Sequence, residues 1–276
     1  MKRLILSPPE TLTLSPMKTP PDPRPNSAPL EGLEIFQQWD MYDRIVHGNW
    51  MRHRELWTAI DQTIADHGHA IKVLDVGSGD GAMAFGGLSD QQLESYVALD
   101  LSKDALQRML ARPTPGQNPT HDAREAILGD FTRTIKEQSQ GHFDVAICSF
   151  SLHHLSPEGK QNLLSNVSQI LNSRGQLIWI DIYLKPDECR DEFLNRLEHD
   201  ILYDWVTLTP SERREAVEHI WSSDFPETEM QMERMMQIAG FLHRRRIWSD
   251  DLFCMWVFQK GPHEFSQNAL KTKNRI

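Results

Sequence analysis

The 276-residue chain is acidic: it has 39 Asp and Glu residues against 29 Lys and Arg residues, and its formal net charge at pH 7 is −10. This charge disfavours a nucleic-acid binder that works through a broad basic face. Its three cysteines lie far apart with no C-x-x-C spacing, so neither a disulfide framework nor a zinc knuckle is indicated, and a reducing, cytoplasmic location is expected. No apolar run approaches the roughly 20 residues that span a membrane as a helix.

The two ends of the chain differ in composition from its middle. Residues 1–30 are rich in proline, serine and threonine, which predicts a disordered tail; a proline-rich docking segment is the alternative. Residues 261–276 are predicted to form a flexible C-terminal tail. The segment between them, 31–260, has the length of one domain with an elaboration.

The first part of this segment has a helical pattern. Between residues 33 and 67, apolar side chains recur at spacings of three and four, with a break near Gly48. Two N-terminal helices are therefore predicted.

A glycine-rich stretch follows and organises the rest of the chain. An apolar run, residues 71–76, ends in three alternating glycines, which predicts a buried strand, a tight loop and a helix. Glycine accepts a positive φ and lets the backbone approach a ligand closely. The G-x-G-x-G spacing differs from the G-x-G-x-x-G of dinucleotide folds, and no G-K-[ST] follows to make a P-loop.

Four further apolar runs alternate with helical segments: residues 96–100, 126–131, 143–150 and 175–181. Such alternation predicts parallel strands with crossover helices. The first of these runs ends at Asp100, about twenty residues after the glycines, where an acid contacts ribose hydroxyls in nucleoside-binding α/β sheets.

A long helical segment rich in acids follows the strand that ends at Asp181. Because it is inserted at the carboxyl edge of a doubly wound sheet, where ligands bind, residues 184–226 are interpreted as a substrate cap. The alternative is a solvated helical face. A final helix and a closing hairpin, residues 241–259, complete the predicted elements.

In chain order, five segments resemble the motifs of class I S-adenosylmethionine (SAM) dependent methyltransferases: VLDVGSGDG, ALD, GDF, FDVAICSFSLHHL and LNSRGQLIWID. Together they cover roughly residues 70–183. The resemblance implies an α/β fold, a doubly wound, seven-stranded, mostly parallel Rossmann-like sheet with N-terminal helices and a helical cap after strand 5. It also implies that SAM donates a methyl group, by in-line displacement, to O, N or C of a small-molecule acceptor.

The resemblance assigns the family's site residues to positions in this chain. Three glycines would line the methionine part of SAM, Asp100 would bind the ribose hydroxyls, Asp130 would accept from the adenine amino group, and the carbonyl of Ser149 would lie near the ammonium. The implied cofactor-binding residues are Asp75, Gly77, Gly79, Gly81, Asp100, Leu101, Asp130, Phe131 and Ser149. An acid at the position of Asp75 can also simply cap a turn.

The acceptor side is less well defined. Candidates for acid–base or orienting roles are His153, His154 and Asp181, since histidine titrates near neutrality and all three follow strands at the ligand-binding edge. Either histidine could instead be structural. Candidate substrate contacts are Trp39, Tyr42, Trp50 and Tyr183, each of which could equally be a core residue. No metal is predicted, because the local metal-ligand spacings are missing from the sequence.

Three other functions remain open. A SAM-fold enzyme could make carboxylated SAM or transfer an aminopropyl group. The acidic cap is compatible with aminopropyl transfer. A non-catalytic SAM-binding protein is a further possibility, although the glycines and both acids are intact. A NAD-dependent oxidoreductase is disfavoured by the glycine spacing. The oligomeric state and the acceptor are not predicted.

Overall fold

A computed structural model of the chain describes residues 39–88, 93–113 and 124–261. The predicted tail at 1–30 lies outside the described residues, as does all but the first residue of the predicted tail at 261–276. The N-terminal helical segment is described from Trp39 onward.

Eight strands in the described part of the chain form one sheet. They are β1 (Ile71–Val76), β2 (Leu93–Asp100), β3 (Arg124–Leu128), β4 (Phe143–Ser149), β5 (Leu171–Leu184), β6 (Glu227–Thr228), β7 (Phe241–Ser249) and β8 (Phe253–Lys260).

The strand order along the sheet is β3-β2-β1-β4-β5-β8-β7, and the two-residue β6 pairs with the end of β5. The first five strands of that order run parallel, whereas β8 pairs antiparallel with both β5 and β7. Strand order reverses between β1 and β4, which is the point where open α/β sheets bind ligands. The predicted doubly wound, mostly parallel sheet is confirmed; only β6 was not predicted.

Nine α-helices lie within the described residues. They are α1 (Trp39–Gly48), α2 (His53–Ile64), α3 (Ala82–Gly87), α4 (Lys103–Ala111), α5 (Phe131–Thr134), α6 (Pro157–Ile170), α7 (Arg190–Tyr203), α8 (Pro210–Ser223) and α9 (Glu229–Ile238). Of these, α7 and α8 lie in the segment interpreted as a cap. No helix in the described part of the chain is both long enough and apolar enough to cross a bilayer.

Apolar side chains form three buried clusters. Two of them contain side chains from opposite faces of the central strands, as expected for a parallel sheet covered by helices on both faces. The third cluster joins α1, α7 and α8 to the end of β5 and the start of β8. The cap and the first N-terminal helix therefore share a core of their own above the carboxyl edge of the sheet.

Candidate active site

The glycine loop after β1 is held against the end of β2. The backbone N–H groups of Gly77 and Ser78 donate to the carbonyl oxygen of Leu99 at 2.8 and 3.2 Å. Gly77 has φ +68°, and a Cβ at this position would lie 2.5 Å from the Cβ of Ser151. Only glycine therefore fits the first position of the loop.

Asp100 at the end of β2 fixes the loop from the other side. Its Oδ2 accepts the N–H of Gly79 at 2.8 Å, and its Oδ1 accepts the N–H of Ser102 at 2.8 Å. Each carboxylate oxygen has a second lone pair that can accept from a ligand. Burial raises the pKa of Asp100, while the backbone donors oppose that effect.

Asp75 lies beneath the loop and is 1% exposed. The hydroxyl of Tyr96 donates to its Oδ2 at 2.5 Å, whereas its Oδ1 is buried without a hydrogen-bond partner. Burial raises the pKa of Asp75 to about 7. This oxygen can accept from a ligand or a water molecule, and the predicted role of Asp75 in cofactor binding stays a prediction.

An open cleft lies over the loop, and we call it the donor cleft. Nine predicted site residues line it: Trp39, Tyr42, Gly77, Gly79, Asp100, Leu101, Phe131, Ser149 and His154. Its remaining lining residues are Met51, Ser78, Met83, Ser102, Ala105, Phe150 and Ser151.

Three predicted cofactor contacts do not line this cleft. Asp75 is buried below it, and Gly81 begins α3 with φ +74°. Asp130 caps α5: its Oδ1 accepts from the N–H and the hydroxyl of Thr132 at 2.9 and 2.6 Å. The predicted contact of Asp130 with adenine is thus limited to the other carboxylate oxygen, and it stays a prediction.

A second cavity lies under the cap, and we call it the acceptor cavity. Its lining is mainly apolar: Met41, Tyr42, Ile45, Met51, Phe150, Ile182, Leu197, Ile201, Trp205, Ala216, Ile220 and Phe253, with His153, His219 and Asp224 as the ionisable groups. Tyr42, Met51 and Phe150 line both cavities, so these side chains form a shared wall.

Phe150, which is part of this wall, has an uncommon backbone conformation. It follows β4 with φ +48°, a value rare for a residue with a side chain. Its N–H donates to the carbonyl of Ile180 at 2.9 Å, and its ring packs edge-on against Phe253. Strained backbone of this kind concentrates at ligand sites.

The two adjacent histidines face different cavities. His153 lines the acceptor cavity, and His154 lines the donor cleft. Burial lowers the pKa of both rings, but Asp181 and Asp224 outweigh it at His153 and raise the pKa there. His154 has no such compensation from carboxylates, and its pKa lies well below the usual value.

Asp181 lies behind His153 and lines neither cavity. Its Oδ1 accepts from Nδ1 of His153 and from the N–H of Ile182, and its Oδ2 accepts from the indole N–H of Trp179 at 3.1 Å. With both oxygens engaged, Asp181 orients His153 rather than contacting an acceptor directly.

Two predicted substrate contacts also line neither cavity. The indole N–H of Trp50 donates to the hydroxyl of Thr207 at 2.6 Å, which connects the N-terminal helices to the cap. The hydroxyl of Tyr183 donates to the carbonyl of Asp250 at 2.7 Å. Both aromatics therefore have a structural contact within the chain, and their predicted contacts with a substrate stay predictions.

Sequence reasoning missed several residues of this region. Phe150 and Ser151 lie inside the quoted fourth-strand motif and could have been included on position alone. His219 and Asp224 come from α8 and the segment after it, and no local motif marks them. Asp224 is buried, and burial raises its pKa to about 6.

Comparisons with known proteins find similarity to methyltransferases. Residues 74–177, from β1 into β5, match the model of a methyltransferase domain family. An uncharacterized methyltransferase of Staphylococcus carnosus is 24% identical over 177 residues, which are 63% of this chain and 79% of that protein.

Two solved structures share the fold. Magnesium protoporphyrin IX methyltransferase from Synechocystis, solved with bound SAH, has a TM-score of 0.55 and 14% identity, with 83% of this chain and 96% of that chain covered. The YcgJ protein of Bacillus subtilis has a TM-score of 0.53 and 14% identity, with 74% and 98% covered. At this identity the likeness concerns the fold alone.

The glycine loop, the acid at the end of β2 and the matched domain together define a methyltransferase built on a Rossmann-like sheet. More specifically, the matched domain and the relatives named methyltransferases support an enzyme of the class I SAM-dependent methyltransferases.

Proposed function

We propose that this enzyme takes SAM as its methyl donor in the donor cleft and methylates a small, largely apolar acceptor in the acceptor cavity. The observation that carries the proposal is the arrangement of two adjoining cavities with a shared wall of Tyr42, Met51 and Phe150. The motif residues lie on one side of this wall, and an apolar cavity with one polar end lies on the other.

The residues of the donor cleft fit SAM. A Cβ at Gly79 would meet no atom within 4 Å, so the second glycine borders open space that a ligand can fill. Asp100 offers both carboxylate oxygens beside that space for the two ribose hydroxyls. When bound, SAM supplies a methyl group on a positively charged sulfur, which a nucleophile displaces in line.

The chain contributes positioning and exclusion of water. Well-oriented partners gain effective molarities of about 10⁵ M or more, so holding the acceptor beside the methyl group supplies much of the rate. The cap and α1 cover the acceptor cavity with apolar side chains, which keeps water from the donor. The polar end, with His153 and Asp224, orients the polar group of the acceptor.

Aminopropyl transfer is less well supported. A polyamine acceptor requires several carboxylates along its binding site to balance its charges. Among the described residues that line the acceptor cavity, Asp224 is the single acid, and the other acids of the cap lie outside the lining. The apolar cavity thus favours methyl transfer to an uncharged or weakly charged molecule.

Calorimetric titration with SAM and with SAH tests the proposal. We expect micromolar binding to the unmodified chain and at least a 100-fold loss in Asp100→Ala, because two charge-assisted hydrogen bonds to ribose disappear. Glu94→Ala, at the other end of β2, is the matched control and should bind normally. Absence of binding to the folded, unmodified chain would overturn the proposal.

A further inference from the structure

Four ionisable side chains meet where the two cavities adjoin. His153 and His154 come from the segment after β4, His219 comes from α8, and Asp224 ends the cap. His153 and Asp224 are 6% and 4% exposed, and the side chains of His154 and His219 are 8% exposed. The fold therefore gathers three imidazoles around one carboxylate in a buried position.

The distances within this cluster are those of metal ligands rather than of hydrogen bonds. Oδ1 of Asp224 lies 3.6 Å from Nε2 of His153, 3.5 Å from Nδ1 of His154 and 3.9 Å from Nε2 of His219. Metal–ligand bonds of about 2.1 Å in a tetrahedron place neighbouring ligand atoms about 3.4 Å apart. Ligand atoms of His153, His154 and Asp224 all lie within 4.8 Å of one another.

The carboxylate of Asp224 also has one oxygen without a hydrogen-bond donor. Oδ1 of Asp224 is buried and accepts no hydrogen bond. Burial of a carboxylate oxygen without a partner is costly, so native proteins pair such atoms with a donor or a metal. This oxygen is aimed between the imidazoles.

The orientation of His153 also matches that of a metal ligand. Its Nδ1 contacts Asp181, so in the neutral ring Nε2 carries the lone pair and faces Asp224. Metal-binding histidines usually donate their other N–H to a carboxylate in this way, which fixes the tautomer and the ring. Asp181 is in turn held by Trp179 and by the backbone.

We propose that His153, His154 and Asp224 bind a divalent first-row transition metal, with Zn²⁺ the ion that suits a buried site of nitrogen and carboxylate ligands. His219 lies next to the carboxylate as a further ligand or a neighbour of the ion. Nδ1 of His154 lies 3.2 Å from the carbonyl of Ser223 and gives up that contact when it binds the metal. No local motif marks the site, because its carboxylate lies 70 residues beyond His154.

The role of the metal, though not its binding, rests on the proposed function. An open coordination position would face the acceptor cavity and take an oxygen, nitrogen or sulfur atom of the acceptor. Metal binding acidifies that atom, so its X–H bond breaks and the proton passes to water. The freed electron pair forms the X–C bond to the methyl group, and the C–S electrons remain on sulfur. The acceptor is therefore a heteroatom nucleophile rather than a carbon.

Metal loading of the full, tag-free chain tests the site. The protein is stripped with chelator, loaded with Zn²⁺ or Co²⁺, desalted and analysed by mass spectrometry of the metal. We expect one equivalent per chain, intense visible absorption from four-coordinate Co²⁺, and at least two histidine ligands in X-ray absorption of the Zn²⁺ form. Absence of retained metal in the folded protein would overturn the proposal.

Variants locate the ion. His153→Gln and Asp224→Asn should each lower the retained metal at least tenfold while SAH affinity stays within about threefold. The matched control is a separate histidine–carboxylate pair, His69 and Asp144, whose Nε2 and Oδ1 lie 4.0 Å apart at the amino-terminal edge of the sheet. His69→Gln should keep full metal content, and metal retained by both cluster variants would refute the assignment.

The outcomes separate the two proposals. Metal binding without SAM or SAH binding leaves the metal site intact and overturns the proposed function. Binding of SAH to a chain that holds no metal leaves the proposed function intact and overturns the metal site.

Discussion

Gly79 is the residue whose substitution tests the donor cleft most directly. Its φ is +54°, and a Cβ added there meets no protein atom within 4 Å. Gly79→Ala should cost about 1–2 kcal/mol of folding free energy through backbone strain, because L-residues disfavour this conformation. The new methyl group would project into the cleft beside Asp100, so SAH affinity measured by calorimetry should fall at least tenfold.

Gly141 provides the control for this substitution. It has φ +63° and equally open space around it, and it lies in the turn before β4, away from both cavities. Gly141→Ala should show the same loss of stability in urea with unchanged SAH affinity. If both variants bind SAH equally well, the glycine loop does not approach the cofactor as we propose.

Asp75 should give the protein a distinctive pH dependence. Burial raises its pKa from 3.8 to about 7, so the folded chain holds this proton more tightly than the unfolded chain. The contribution of Asp75 to the free energy of unfolding is fully present below about pH 4 and is lost as the pH rises to about 7. This contribution amounts to no more than ~4 kcal/mol. The free energy of urea unfolding without SAM, measured from pH 4 to 8, reports this contribution.

Asp75→Asn isolates the effect of Asp75 from other titrating groups. The amide is neutral at every pH and can still accept from the hydroxyl of Tyr96, so the variant should become more stable relative to the unmodified protein as the pH rises. Parallel stability curves for the two proteins would show that Asp75 does not titrate in this range.

The donor side could be predicted residue by residue because its signals are local. Gly77, Gly79 and Asp100 lie in or next to a continuous motif whose backbone geometry requires those residue types. Asp224 could not be predicted, since its significance depends on a cap that folds back over the sheet. Asp181 could be predicted as important, but its position behind His153 depends on bonds to Trp179 that no spacing indicates.

At the scale of elements, α6 and β6 are joined by a buried ion pair. Nζ of Lys160 donates to Oε1 of Glu227 at 2.7 Å and to the carbonyl of Phe225, and the two side chains are 1% and 6% exposed. Lys160→Met removes the cation and leaves a buried carboxylate unpaired. We expect a loss of about 3–5 kcal/mol in the free energy of urea unfolding.

Two comparisons check that the loss comes from the unpaired charge. The double variant Lys160→Met/Glu227→Gln should recover most of the stability, because the uncompensated carboxylate is gone. Lys72→Met breaks the more exposed pair with Glu94, whose atoms lie 3.1 Å apart, and should change stability by about 1 kcal/mol or less. Equal losses from both single lysine variants would contradict the argument.

Most elements could be predicted from hydrophobic periodicity, and the differences have physical reasons. β1 is as predicted, whereas β5 is longer at both ends because it pairs with β4, β6 and β8. β6 has two residues and too little sequence to form a pattern. It exists because Glu227 and its neighbour pair with the end of β5, a contact that a local pattern does not encode.

In the whole molecule, the donor cleft and the acceptor cavity are built on different apolar cores. The donor cleft is built on loops of the sheet, whose two faces carry two apolar clusters. The acceptor cavity belongs to the third cluster, shared by the cap and α1. Changes in the cap should therefore alter acceptor binding without altering SAM binding, and such changes account for different acceptors on one fold.

Ala216 tests this separation. It lies on α8, is 7% exposed and lines the acceptor cavity but not the donor cleft. Ala216→Phe should fill the cavity at a cost of about 1–3 kcal/mol in folding stability from overpacking. Ligand-detected NMR with 2-naphthol as an apolar probe should show saturable binding to the unmodified chain and none to this variant, while the SAH dissociation constant stays within about twofold. Ala216→Ser, which keeps the cavity open, should bind both. Loss of SAH binding in a folded Ala216→Phe protein would mean that the two cavities act as one site.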